Sequence, residues 1–109
     1  MSPDRLRTEE VEELLGAFLA LEGPDEVWAF LQDVATIREV HDMAQRLAVA
    51  RMLADGEHYT HIQEITGAST TTISRVSRSL NYGADGYTTV IDRLDAAAEA
   101  GAAGRKAGE

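Results

Sequence analysis

The stretch TGASTTTISRVSRSL, Thr66 to Leu80, decides how the rest of this 109-residue chain is read. It holds two arginines, a run of small hydroxyl residues and no Asp or Glu, inside a chain of formal charge −9. Gly67 interrupts it, and Ser69 or Thr70 can start a helix by offering a side-chain oxygen to a free amide of the first turn. At about 100° per residue, Ile73, Val76 and Leu80 share one side of that helix, and Thr71, Ser74, Arg75 and Arg78 gather on the other. The helix is predicted to run to about Leu80, closed by Asn81-Tyr82-Gly83.

Immediately upstream, Thr60-His61-Ile62-Gln63 has the form of a capping box and predicts a short helix to Thr66, with Ile62 and Ile65 turned toward the second helix. A helix of roughly seven residues, a glycine break and a second helix is the spacing of a helix-turn-helix, here spanning about residues 59 to 82. In that motif the second helix lies in the DNA major groove. Its outward face has suitable chemistry. Arginine donates two bonds to guanine or one to a phosphate, and Ser and Thr hydroxyls reach phosphates and base edges. Thr71, Ser74, Arg75 and Arg78 are therefore candidate DNA contacts, and Thr70 and Thr72, at the edges of the face, are candidate backbone contacts. A carboxylate on this face would be held against phosphate, which accounts for the missing acids. Short helix pairs joined by glycine also occur in all-α proteins that never meet DNA.

Working outward, Thr36-Ile37-Arg38-Glu39 is another capping box, and Val40, Met43, Ala44, Leu47, Ala50 and Leu53 keep one stripe along a long helix that stops at Asp55-Gly56. Further toward the N-terminus, Thr8 and Ser2-Pro3 offer helix starts, followed by Val11, Leu14, Leu15, Phe18 and Leu19 at helical spacing. Gly23-Pro24 ends that helix and opens another carrying Val27, Trp28, Phe30, Leu31 and Val34. On the C-terminal side, Val90, Ile91 and Leu94 support a last helix. From Ala96 the sequence AAAEAGAAGRKAGE turns low-complexity, so residues 96 to 109 are expected to be a disordered tail after a domain of residues 1 to 95. No strand-like alternation of useful length occurs, and the fold class is all-α.

Composition narrows the function classes. Without cysteine there are no disulfides, thiolate metal sites or cysteine nucleophiles. No apolar run nears membrane-spanning length and the N-terminus is too charged for a signal peptide, so a cytoplasmic protein with no membrane partner is expected. Residues 1 to 40 hold ten acids and three Arg, residues 41 to 82 four of each, and residues 83 to 109 five acids against three Arg or Lys. An anionic partner is least repelled by the middle. The short, greasy N-terminal helices cannot bury their apolar bands within so small a chain, which points to a partner subunit.

The segment GASTTTISRVSRSLNYG, preceded by a long helix ending MLADGE, resembles the Trp repressor superfamily, in its YerC/YecD-like branch. The spacing from Arg46 to Gly56-Glu57, Gly67-Ala68, Ile73-Ser74-Arg75 and Ser79-Leu80 follows the repressor, and the similarity extends over residues 8 to 95. The resemblance implies an intertwined all-α homodimer whose two recognition helices sit about 34 Å apart on double-stranded DNA. It also implies an effector pocket between Arg46 and Arg75, completed by Ser79, Val76 and the turn near Thr36. Where the repressor has a glycine against which the indole lies, this chain has Val76, so tryptophan is not expected to act as corepressor. Arg46 and Arg75 have a second reading, one meeting phosphate and the other a carboxylate of the dimer partner.

The expected function is a sequence-specific DNA-binding regulator acting as a repressor, with any small-molecule effector left open. The alternative is a protein-interaction module on the same fold, which the acidity of residues 1 to 40 favours. His58 and His61 are three apart but no third ligand is placed by sequence, so no metal or cofactor is assigned. No nucleophile with a base, catalytic carboxylate pair or phosphate-cradling loop points to an enzyme.

Overall fold

The computed structural model describes residues 3 to 107, and among them every regular element is helical. A 3-10 turn, Pro3–Leu6, precedes six α-helices: α1 Glu9–Ala20, α2 Pro24–Val34, α3 Ile37–Ala54, α4 Tyr59–Thr66, α5 Thr70–Tyr82 and α6 Gly86–Ala107. The chain divides into two compact units, Met1–Val40 and His41–Glu109.

In the first unit, Thr8 caps α1 by accepting from the Val11 amide, and Pro24 opens α2 at a position where its missing N–H costs nothing. Phe18 and Phe30 meet edge to face with centroids 5.2 Å apart, joining α1 to α2. Neither helix buries a residue: Leu19 is 87% exposed, and Leu14, Leu15, Phe18, Trp28 and Val34 are exposed as well. The capping box at the start of α3 forms in full. The Thr36 N–H donates to Glu39 Oε1 at 2.8 Å, and the Glu39 N–H donates to the Thr36 hydroxyl at 3.1 Å. These bonds from Thr36 hold the Glu39 carboxyl below its ordinary range.

In the second unit, Val49, Ala50, Ile62, Ala68, Ile73, Val76 and Ile91 form the core, with Leu47, Met52, Leu53, Leu80 and Tyr87 packed against it. Helix α3 ends in a Schellman motif, in which Glu57 N–H donates to Met52 O and Gly56 N–H to Leu53 O. Arg51 and Asp95 pair at 2.9 Å between α3 and α6, an exposed bridge of small energetic weight.

Three expectations are corrected. The α3 stripe places Met43 and Ala44 on the surface, while Val49, outside that stripe, is fully buried because α4, α5 and α6 supply its neighbours. Ile65 is 65% exposed, since a helix as short as α4 presents only the Ile62 side to the core. Thr60 caps nothing: the extended backbone that a cap needs belongs to His58, which makes no side-chain bond, and Thr60 already lies inside the helix. Helix α6 runs past Ala96 to Ala107, and residues 108 and 109 of the expected tail lie outside the described residues.

Candidate nucleic-acid interface

The turn between α4 and α5 is held by side chains from inside and outside the motif. Gly67 ends α4 with φ 74° and ψ 4°, a left-handed conformation that glycine adopts without a Cβ penalty, and its N–H donates to the Gln63 carbonyl. The Thr66 hydroxyl donates to the Ile62 carbonyl at 2.7 Å and accepts from the Ala68 N–H at 3.1 Å. From α3, Gln45 Nε2 donates to the Thr66 carbonyl at 3.0 Å. Ser69 then starts α5, its oxygen accepting from the Thr72 N–H and its hydroxyl donating to Thr72 Oγ1, both at 3.1 Å. Ile62 and Ile73 are fully buried and Val76 nearly so, which fixes which side of α5 faces out.

On that outward side Thr70, Thr71, Ser74, Arg75 and Arg78 are exposed and, with Ser79, line a shallow depression of about 600 Å³. No acidic residue occurs anywhere from Ile65 to Ala84. Neither the Arg75 nor the Arg78 guanidinium makes an ion pair or hydrogen bond among the described residues, so their donors face solvent. Thr72 stands apart. It is half-buried and its hydroxyl is engaged by Ser69, so it belongs to the cap rather than to the outward row.

A second depression, of about 510 Å³, lies on the neighbouring side of α5. Arg46, Arg75, Val76 and Ser79 line it together with Asp42, Gln45, Thr72 and Tyr87. Arg75 thus borders both depressions. Thr36 is not in this lining; it sits in the first unit, engaged in its capping box. Val76 is only 3% exposed, so most of its side chain serves the core and only an edge reaches the depression. Asp42, Gln45 and Tyr87 are not among the residues the sequence pointed to for this pocket. Asp42 is four residues before Arg46, a helical neighbour visible in principle, whereas Tyr87 arrives from α6 through tertiary packing.

The family model for the Trp repressor protein matches residues 9 to 95. This chain belongs to the Trp repressor family. It is 48% identical over 94 residues, 86% of its own length and 90% of its relative's, to the uncharacterised protein YerC of Bacillus subtilis (strain 168). A TrpR-like protein from Eubacterium eligens superposes with TM-score 0.81 at 51% identity, covering 84% of this chain and 95% of that one. A Staphylococcus aureus protein assigned provisionally as a Trp repressor superposes with TM-score 0.82 at 43% identity, covering 87% and 95%. As in those Trp repressor relatives the architecture is all-helical, and no helix among the described residues is long and apolar enough to cross a membrane.

Proposed function

We propose that this member of the Trp repressor family is a sequence-specific DNA-binding transcriptional repressor that reads the major groove with α5 of each subunit of a homodimer and does not respond to tryptophan. The observation that carries this reading is the exposed face of α5. It gathers Arg75, Arg78, Thr70, Thr71 and Ser74 in an acid-free stretch of a chain whose formal charge is −9. Dimerisation supplies cover for the exposed apolar residues of α1 and α2 and sets two reading helices about one DNA turn apart. Val76 supports independence from tryptophan, because its branched side chain borders the depression beside Arg46 and Arg75.

Selection of bound fragments from random and genomic DNA tests the proposal. The expected result is enrichment of a two-fold symmetric site whose affinity falls linearly on a log scale with salt, as counterions are displaced from phosphate. No enrichment, or partner capture that ignores salt, would favour a protein-interaction module instead.

A further inference from the structure

Helix α5 runs beyond Leu80, and the added residues bring Tyr82 onto the outward face. At about 100° per residue, Tyr82 lies roughly 180° round from buried Ile73, and Thr71, Arg75 and Arg78 fall within about 40° of it. The four side chains form one stripe. Tyr82 is 88% exposed, and its hydroxyl has no partner among the described residues. Its neighbour Asn81 is occupied locally, donating from Nδ2 to Ser77 Oγ at 3.4 Å.

The end of the helix is fixed at this residue. The Gly83 N–H donates to the Ser79 carbonyl at 2.9 Å, and a Cβ at position 83 would collide with that same oxygen. Gly83 leaves helical geometry at φ −87° and ψ −148°, so α5 ends with Tyr82 as its last residue, and only glycine fits that conformation. From Thr71 to Tyr82 the rise is about 16 Å. In a helix-turn-helix the N-terminal residues of the second helix meet the base edges, so under the proposed reading Tyr82 sits at the far end of the stripe from the bases.

We propose that Tyr82 donates its phenol hydrogen to a phosphate oxygen of the DNA backbone, a contact that adds affinity and orientation but carries no base information. The proposal rests on α5 being the reading helix. An exposed tyrosine could also anchor a protein partner, but the flanking guanidiniums favour phosphate.

The test titrates wild type, Tyr82→Phe and Tyr82→Ala against a selected fragment and a scrambled fragment, with Arg75→Ala as a reference. Tyr82→Phe should weaken binding to both fragments by roughly tenfold, the scale of one hydrogen bond to a charged oxygen, and leave their affinity ratio unchanged. Tyr82→Ala should do at least as much, with melting unchanged because the side chain is exposed. Wild-type affinity for Tyr82→Phe on both fragments overturns the proposal. So does a loss confined to the selected fragment, which would mean base contact, or a fall in particle mass for Tyr82→Ala, which would mean a protein interface. Failure of the wild type to bind any DNA removes the reading of α5 itself, whereas wild-type binding with an unaffected Tyr82→Phe removes this proposal alone.

Discussion

Gln45, on α3, donates its side-chain amide to the backbone carbonyl of Thr66 at 3.0 Å, tying the long helix to the last residue of α4. The bond is half-buried and satisfies a carbonyl that the end of α4 leaves without a helical partner. It is a direct polar link between α3 and the turn that aims α5.

Replacing Gln45 with Ala should therefore lower stability by about 1 kcal/mol, the usual net worth of such a bond. DNA affinity should fall by more than this loss explains, because the turn is freer to move. Urea melts and binding titrations on the same samples check both parts, and unchanged binding would show that the turn is held without Gln45.

Arg75→Ala and Arg78→Ala should each weaken DNA binding by about 1 to 3 kcal/mol with the fold intact, since both project from the side of α5 opposite Ile73. Ile73→Ala should instead destabilise the protein by about 2 to 4 kcal/mol, as expected for a fully buried side chain. Comparable thermal losses in all three variants would contradict this division of the helix.

Leu19, Trp28 and Val34 are exposed on α1 and α2, apolar surface that a second subunit would cover under the proposed function. Light scattering at micromolar concentration should return twice the chain mass, and the melting temperature should rise with concentration. A folded monomer at that concentration would refute the expectation.

Millimolar tryptophan should leave operator affinity unchanged. An effector shifts the protein only as far as it prefers the DNA-competent state, and an indole placed against Val76 would meet a side chain already packed into the core. Opening the site with Val76→Gly carries a stability cost of about 3 kcal/mol, from the lost valine burial and the glycine in mid-helix, so its binding is to be measured well below its melting temperature. Enhancement by tryptophan in the wild type would overturn the prediction; enhancement confined to the glycine variant would support it.

Glu39 supplies a pH prediction. Its folded carboxyl titrates below the ordinary range because Thr36 donates to it, so the ionised form is the stabilising one. Its contribution is complete above the unfolded carboxylate value and is lost as pH falls through the folded one. The melting difference between wild type and Glu39→Ala should be present at pH 7 and shrink toward pH 3. A difference independent of pH would show that the ionised Glu39 carboxylate is not its source.

Most elements governed by neighbours within one turn were legible in the sequence; the exception is Thr60, which falls inside α4 while His58 holds the cap position. Thr8, the Thr36–Glu39 pair, Ser69 and Gly67 act where their side chains or backbone preferences place them. The outward row of α5 follows from spacing once Ile73 and Val76 are buried. The other failures depended on which elements pack together. Ile62 and Ile65 look alike on one short helix, yet only Ile62 faces α5 and the core. Val49 sits beside alanines and is buried by helices distant in sequence. Tyr87 borders the second depression through the packing of α6, and Tyr82 joined the outward row only when α5 proved longer than its apolar spacing.

The acid-free run from Ile65 through Ala84 carries only two cations, Arg75 and Arg78. Non-specific attraction to DNA comes almost wholly from neutralised phosphates, and this chain has few cations with which to neutralise them. Under the proposed function, little of the protein would be parked on non-cognate sequence, although a genome offers about 10⁶ to 10⁹ such sites. A small number of molecules per cell would then suffice to keep an operator occupied.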